Sequence, residues 1–190
     1  MNNPVEQVES IIFGLALGDA LGYPVEFLGR DAIRKQYGST GIQSPPIPAL
    51  YSDDTQMSLA LAEGLLDAGI DVPVDSLMTA IGSRFVQWSH SPENNRAPGL
   101  TCMHGLKRYE AGMSWSESGI VASKGCGSAM RVAVLGYAYQ SDEQRLREVA
   151  SASSLITHRH PTAIASTVAA AYLVKLALDQ EAISNYMLKV

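Results

Sequence analysis

Apolar side chains recur at three- and four-residue spacing along almost the whole chain, and this spacing predicts α-helices. We predict about eight helical segments, near residues 5–21, 31–37, 55–68, 73–91, 98–111, 142–156, 162–178 and 181–190. Glycine or proline marks many of the joints, as at Gly38, Gly69 and Pro161. No stretch alternates apolar and polar residues in the manner of a half-buried strand. The pattern therefore predicts an all-α fold.

The composition is that of one globular domain covering residues 1–190, with 46% hydrophobic and 17% charged residues. A net charge of −5 argues against nucleic-acid or anionic-membrane partners, which require basic patches. The two cysteines, Cys102 and Cys126, form no CxxC pair, so neither a disulfide framework nor structural zinc is expected. No uninterrupted apolar run reaches the roughly 18 residues of a membrane span, and the N-terminus does not resemble a signal peptide. These features predict a cytoplasmic protein.

Two adjacent carboxylates, Asp53 and Asp54, follow Ser52 at the start of the helix predicted for residues 55–68. One interpretation is helix capping, in which Ser52 or Asp53 accepts hydrogen bonds from first-turn amides and Gln56 completes a capping box. The other is a metal site, because adjacent carboxylates repel each other and a hard divalent cation with oxygen ligands removes that repulsion. The residues alone leave both interpretations open.

The first predicted helix carries a glycine at every fourth position, Gly14, Gly18 and Gly22, and a carboxylate, Asp19, that extends its apolar stripe. A glycine inside a helix disfavours it by about 1 kcal/mol relative to alanine, so this spacing predicts close approach of another backbone or of a ligand. A carboxylate directed at a core is normally paired or hydrogen-bonded. We therefore interpret Asp19 as a structural anchor for a neighbouring helix N-terminus.

Three further segments carry residues suited to a binding site. Glu26 lies in a loop, either as a solvated acid or as a general acid or base at the rim of a site. Residues 123–128 form a small-residue turn predicted to open a helix, an arrangement in which backbone N–H groups can bind an anion. That turn is neither a Walker A loop nor a GxGxxG element. Residues 157–161 include His158 and His160, side chains that are more often exposed than ligating.

Taken together, four motifs resemble those of the ADP-ribosylglycohydrolase family, and they occur in the family's order. They are residues 14–22 with Glu26, residues 52–57, residues 125–131 and residues 157–161. The resemblance implies a compact all-α domain of orthogonally packed helices and a pair of Mg²⁺ or Mn²⁺ ions. It also implies an activity, the removal of ADP-ribose from modified protein side chains, with arginine favoured.

The resemblance also implies roles for individual residues. Ser52, Asp53 and Asp54 resemble metal ligands, and the two carboxylates together with Glu26 resemble catalytic groups. The residues similar to the family's diphosphate and ribose cradle are Ser123, Lys124, Gly125, Cys126, Gly127 and Ser128. His158 is similar to a ligand-contacting histidine. Cys126 stands where the family's turn commonly has asparagine.

One family feature has no counterpart here, because no second acidic motif of the Gly-Asp-Thr-Asp-Thr kind follows His160. In the family that motif supplies the remaining metal ligands, and hard cations take about six oxygen ligands. We therefore expect a C-terminally truncated domain with a doubtful second metal ion and weak hydrolysis by this chain alone. The alternative is a catalytically incomplete relative that binds ADP-ribose or has a structural role.

The last predicted helix, residues 181–190, presents apolar side chains that no following segment buries. They are Ile183, Tyr186, Met187 and Val190. An exposed contiguous apolar surface of several hundred Å² usually marks an interface. The sequence therefore predicts self-association through this C-terminal helix.

Overall fold

The structure is a computed structural model, described here for residues 3–189 apart from the side chain of Met187. Its α-helices are α1 (Pro4–Gly22), α2 (Arg30–Tyr37), α3 (Asp53–Ala68), α4 (Val74–Ser89), α5 (Leu100–Glu110), α6 (Trp115–Ser118), α7 (Ala133–Ala138), α8 (Glu143–Leu155), α9 (Pro161–Leu178) and α10 (Tyr186–Lys189). Short 3₁₀ helices cover Tyr23–Val25, Ala129–Arg131 and Ile183–Asn185. The described residues contain no strand, only an isolated parallel bridge between Ile120 and His158. The predicted all-α fold is confirmed.

The helix ends follow the local signals in the sequence. The Asn3 side chain accepts a hydrogen bond from the Val5 amide at 3.1 Å, and Pro4 occupies the first position of α1. Helices α2 and α3 end at Gly38 and Gly69, whose φ angles are 81° and 82°. Because glycine enters this left-handed region without steric penalty, both predicted helix ends are found where expected.

The core forms mainly between α3 and α4 and extends onto α5, α7, α8 and α9. Its fully buried side chains include Met57, Leu61, Leu77, Ile81 and Phe85. The two helices approach closely at Gly64, where an added Cβ would lie 2.7 Å from the Ile81 Cα. The α3–α4 pair therefore fixes the position of the acidic residues at the start of α3.

Helix α1 lies against α3 and α7, and Ala20 is its one fully buried residue within residues 3–189. By length and composition, residues 4–25 and α9 would each be apolar enough to cross a membrane. Core helices of water-soluble domains often share that composition, so length and composition do not identify either helix as a membrane span. The expected absence of a membrane partner stays a prediction.

The C-terminal segment is less regular than the sequence predicts. Instead of one helix over residues 181–190, the chain forms a 3₁₀ helix at Ile183–Asn185 and one α-helical turn, α10. Tyr186 packs against the core, whereas Ile183 and Leu188 are 81% and 85% exposed. The side chain of Met187 and the whole of Val190 lie outside the described residues. The predicted self-association through this segment stays a prediction.

Candidate functional site

Asp19 of α1 anchors the first turn of α3. Its carboxylate accepts hydrogen bonds from the amide and hydroxyl of Ser52, at 2.8 and 2.7 Å, and from those of Thr55, at 3.1 and 2.6 Å. A carboxylate has about four lone-pair sites, so these contacts occupy its accepting capacity. The interpretation of Asp19 as a structural anchor for a neighbouring helix N-terminus is confirmed.

Capping at this helix start involves Ser52 but not Gln56. Ser52 is the N-cap residue, and its hydroxyl accepts from the Asp54 amide at 3.4 Å. Gln56 lies one position beyond that of a capping-box residue, and its amide group donates to the Glu93 carbonyl and accepts from the Trp88 indole, both at 3.0 Å. The predicted capping box is therefore wrong, because Gln56 faces the neighbouring α4 and its following loop.

Asp53 connects the start of α3 to the start of α5. Its side chain is 4% exposed, and Oδ2 accepts a hydrogen bond from the Gly99 amide at 3.1 Å. The Asp53 amide donates to the Arg96 carbonyl at 3.1 Å. Asp53 therefore belongs to a tertiary junction as well as to the first turn of its own helix.

An acidic corner is formed by Asp19, Glu26, Asp53 and Asp54, which have no cationic partner among residues 3–189. Burial, opposed by the Gly99 hydrogen bond and reinforced by the charges of Glu26 and Asp19, raises the pKa of Asp53 to about 6. Burial, together with the charges of Asp53, Asp19 and Glu26, raises the pKa of Asp54 to about 7. Glu26 is exposed, but partial desolvation of its carboxyl group and the charge of Asp19 raise its pKa as well. Within residues 3–189 none of these side chains forms an ion pair.

The carboxylates of Asp19, Glu26 and Asp54 line a cleft of about 560 Å³. Its lining includes Ser52 and Asp54 at the start of α3, and Glu26 with the three glycines of α1. A Cβ added at Gly14, Gly18 or Gly22 would meet no described atom within 4 Å. The predicted approach of another backbone is therefore wrong for the part of the chain described, and approach of a ligand stays a prediction. The glycines leave the cleft open.

The carboxylate and hydroxyl oxygens of this corner are the type of ligand that a hard divalent cation prefers. The Asp54 carboxylate accepts no hydrogen bond from residues 3–189, and the Ser52 hydroxyl retains a lone pair because it donates to Asp19 and accepts from one amide. A cation would stabilise the ionised forms of Asp53 and Asp54, whose pKa values are raised by burial first and then by the neighbouring negative charges. The number of ligands falls short, since no three His, Cys, Asp or Glu side chains of the described chain converge as a metal site.

Residues 123–128 form a turn whose backbone amides are available to a ligand. Ser123 Oγ lies 3.0 Å from Thr101 Oγ1 and accepts from the Gly125 amide at 3.3 Å. The amides of Lys124, Cys126 and Gly127 have no hydrogen-bond partner among residues 3–189. The turn opens the short 3₁₀ helix Ala129–Arg131, so a helix begins where predicted, although it is not an α-helix. Anion binding here would depend on the amides rather than on a long helix dipole.

The side chains of this turn differ in what they can contact. Lys124, Gly125 and Cys126 are exposed, whereas Ser123 and Gly127 are half-buried. Ser128 is fully buried, with its hydroxyl 2.9 Å from Ser154 Oγ and 2.6 Å from Thr167 Oγ1. Those contacts anchor the end of the turn and direct the Ser128 side chain into the core.

His158 lies against the same turn. The ring is 2% exposed, and a Cβ added at Gly127 would lie 3.2 Å from its Nε2. Nδ1 is 2.9 Å from Thr157 Oγ1. Burial, with a smaller contribution from Arg131, lowers the pKa of His158 to about 4. The imidazole is therefore neutral near physiological pH.

The first turn of α5 joins the acidic corner to the turn and His158. Gly99 donates to Asp53, and Thr101 contacts Ser123. The Cys102 thiol lies 3.9 Å from a Cβ position at Gly99 and 3.8 Å from one at Gly127. Glu26 lies on the α1 side of the cleft. This role of α5 was not predicted, since Pro98 and Gly99 before a helix are the only local signal of it in the sequence.

The family was identified from comparisons with known proteins. Residues 2–189 match the profile of the ADP-ribosylglycohydrolase family. An ADP-ribosyl-[dinitrogen reductase] glycohydrolase of Rhodospirillum rubrum is 34% identical over 154 residues, which cover 78% of this chain and 50% of that protein. An ADP-ribosylarginine hydrolase of Serratia proteamaculans is 28% identical over 169 residues, covering 85% of this chain and 44% of that protein.

A solved structure agrees with these sequence matches. It is an ADP-ribosylglycohydrolase-related protein complex, with a TM-score of 0.68 and 28% identity over 94% of this chain and 58% of that chain. This chain thus spans about half the length of the curated relatives it matches. The profile match over nearly all residues and the shared all-α fold show that the chain belongs to the ADP-ribosylglycohydrolase family.

Proposed function

We propose that this chain binds the ADP-ribose part of ADP-ribosylated proteins and hydrolyses its bond to the protein side chain, with Mg²⁺ or Mn²⁺ as cofactor and arginine as the favoured side chain. The observation that carries the proposal is the junction at α5. Gly99, directly before α5, donates to Asp53, and Thr101 in the first turn of α5 contacts the 123–128 turn. The names of the relatives from R. rubrum and S. proteamaculans support the same activity.

The 123–128 turn is the proposed diphosphate site. A chain with a net charge of −5 offers no general attraction to phosphate, so local donors must provide it. The free amides of Lys124, Cys126 and Gly127 are such donors, and the exposed Lys124 adds a positive charge. The neutral ring of His158 beside Gly127 adds a further polar contact.

The acidic side of the cleft is the proposed place of bond cleavage. Hydrolysis of a glycosidic bond develops positive charge on the sugar ring and requires proton transfer to or from water and the leaving group. Glu26, whose pKa is raised by burial and by Asp19, is suited to proton transfer. Asp53 and Asp54 provide the negative charge that stabilises the sugar cation. A divalent cation bound by Ser52, Asp53 and Asp54 would orient ribose hydroxyls and increase the acidity of bound water.

A second candidate is ADP-ribose binding without hydrolysis. It is favoured by the absence of three converging His, Cys, Asp or Glu ligands in the described part of the chain. Hard cations generally take about six oxygen ligands, so water and substrate would have to provide most of them. Weak metal binding would leave a binding protein rather than an enzyme.

Two measurements on the same protein separate these candidates. An ADP-ribosylated arginine peptide is incubated with the chain and Mn²⁺, and the released ADP-ribose is quantified. Separately, the binding of ADP-ribose to the chain is measured by calorimetry. The proposal predicts metal-dependent release that Asp54→Asn abolishes and Asp31→Asn, at an exposed position on α2, leaves unchanged. Binding without release supports the second candidate, and the absence of both contradicts the two candidates alike.

A further inference from the structure

Arg131 is a fully buried cation with no carboxylate partner among residues 3–189. Its Nε atom also lacks a hydrogen-bond partner there. The guanidinium stacks on the Phe85 ring at 4.4 Å, and Nη2 donates to the Ser153 carbonyl at 2.9 Å and to Thr157 Oγ1 at 2.8 Å. Nη1 has only sulfur acceptors in the described chain, in Met57 at 3.6 Å and Cys102 at 3.9 Å. Since a buried charge is strongly disfavoured unless it is compensated, these few contacts indicate a specific role for Arg131.

Thr157 connects Arg131 to the histidine of the candidate site. Its hydroxyl oxygen lies 2.8 Å from Arg131 Nη2 and 2.9 Å from His158 Nδ1. A guanidinium only donates hydrogen bonds, so Thr157 Oγ1 is the acceptor in the first contact. Thr157 is fully buried, and within residues 3–189 its hydroxyl has no third partner. The hydroxyl hydrogen therefore has His158 Nδ1 as its acceptor, which places the ring proton on Nε2.

The other ring nitrogen faces the proposed ligand site. His158 Nε2 lies 3.2 Å from a Cβ position at Gly127 and has no hydrogen-bond partner in the described chain. We infer that Arg131 and Thr157 are positioning residues, which fix His158 as the Nε2–H tautomer and direct that N–H at an acceptor oxygen of the ligand bound by residues 123–128. The inference rests on the proposed function, under which the acceptor is a phosphate or ribose oxygen of ADP-ribose.

Two further observations support this arrangement. A protonated imidazole would direct a second donor at Thr157 beside the Arg131 cation, and burial together with Arg131 lowers the pKa of His158 to about 4. The Thr157 backbone is also closely surrounded, since a Cβ added at Gly105 would lie 2.7 Å from its Cα and one at Gly119 would lie 2.8 Å from its carbonyl carbon. The Thr157 backbone therefore has little freedom to move away from His158.

The tautomer can be measured directly. In the ¹⁵N-histidine-labelled 20.3 kDa chain, long-range ¹H–¹⁵N correlation spectra distinguish a protonated from an unprotonated ring nitrogen. The wild type should show His158 protonated at Nε2 alone. Thr157→Val, which removes the hydroxyl and keeps the shape, should give a mixture of tautomers, whereas Thr157→Ser should restore the Nε2–H form. Ser153→Ala is the matched control, because it removes another fully buried hydroxyl that does not contact His158.

ADP-ribose binding provides the second readout. Loss of one oriented donor corresponds to roughly a threefold to tenfold weaker Kd for Thr157→Val, with Thr157→Ser and Ser153→Ala close to the wild type. A wild-type His158 protonated at Nδ1, or a Thr157→Val variant with unchanged tautomer and Kd, would overturn the inference. If the wild type shows the Nε2–H form and Thr157→Val shows the mixture, but the wild type binds no ADP-ribose, the proposed function fails while the role of Thr157 in fixing the tautomer is upheld.

Discussion

The carboxylate of Asp53 accepts a hydrogen bond from the backbone amide of Gly99 at 3.1 Å, and this contact joins the acidic start of α3 to the start of α5. The two residues are far apart in the sequence, yet Gly99 opens the helix whose Thr101 contacts the 123–128 turn. The proposed diphosphate site at residues 123–128 and the proposed metal site at residues 52–54 thus both depend on the position of residues 99–101.

Removing the Gly99 donor should weaken that junction. Gly99 has φ −63°, close to the roughly −65° that proline requires, so Gly99→Pro deletes the N–H group with little change of this angle. A hydrogen bond to a charged group contributes about 1.5–3 kcal/mol, and proline recovers about 0.4–1 kcal/mol through the unfolded state. Because the proline Cδ takes the place of the lost hydrogen, the Asp53 carboxylate must also move away, and we expect a net loss of at least about 1–2 kcal/mol in urea unfolding.

The control for this change is Gly99→Ala, which keeps the N–H group. Its Cβ would lie 3.8 Å from Asp53 Oδ2, an ordinary contact distance. The alanine variant should unfold within about 0.5 kcal/mol of the wild type. Equal stabilities for the proline and alanine variants would show that the amide contact contributes little.

Relative to the double variant Asp53→Asn with Asp54→Asn, the metal-free wild type should lose stability as the pH rises from about 4 to about 7. Asp53 and Asp54 have folded-state pKa values raised to about 6 and about 7, so in this range the native state binds more protons than the unfolded state. The free energy of unfolding then falls with increasing pH. Thermal melts of the wild type and the double variant across this range measure the difference, because His158, whose lowered pKa has the opposite effect on stability, is present in both proteins.

A divalent cation should reverse the loss of stability at pH 7.5, because it binds the ionised carboxylates. We expect Mn²⁺ to raise the Tm of the wild type, by about 2–4 °C for each kcal/mol gained, and to leave the double variant unchanged. Equal Mn²⁺ heats for both proteins in calorimetry would remove the metal interpretation and leave capping and the Gly99 contact as the roles of this corner.

Glu26 should affect turnover more than stability. It is exposed and lies directly after the 3₁₀ helix Tyr23–Val25, so its substitution removes little packing. General acid–base assistance is typically about 10²–10⁴-fold in rate, and we expect a loss in that range for Glu26→Gln with a Tm within about 1 °C of the wild type. Glu9→Gln, at an exposed position on α1, is the control. A large fall in Tm with full activity per folded molecule would reverse this assignment.

We also propose that the exposed C-terminal segment promotes self-association. Ile183 and Leu188 are 81% and 85% exposed, and apolar side chains of this kind commonly lie in interfaces. Ile183→Ser with Leu188→Ser should lower the sedimentation coefficient at high protein concentration, whereas Leu66→Ser, at an exposed position on α3, should not. A wild type that is monomeric at all concentrations contradicts the proposal.

The sequence predicted those features of the fold and site that depend on local signals. Helical spacing and the glycines at Gly38 and Gly69 located helix ends, and a carboxylate on the apolar stripe of α1 identified Asp19 as an anchor. These predictions succeeded because capping, backbone conformation and burial of charge act over a few residues.

Features that depend on tertiary contacts were not predictable in this way. Gln56 contacts Trp88 instead of capping its own helix, and this orientation depends on how α3 packs on α4. Arg131 contacts Thr157, a residue whose position is fixed by other segments of the chain. Helical periodicity indicates which face of a helix is apolar, but it does not indicate which residues of other helices pack against that face.

Our central proposal is that the 123–128 turn, His158 and the acidic corner around Asp53 form one ADP-ribose site. Its most direct test is ¹H–¹⁵N amide mapping of the labelled chain titrated with ADP-ribose in the presence of Mg²⁺. We predict that the largest chemical-shift changes occur at Lys124, Cys126 and Gly127, with smaller changes at Gly99 and in the first turn of α3. Saturating ADP-ribose that leaves these amides unshifted, or that shifts a separate surface, would contradict the claim.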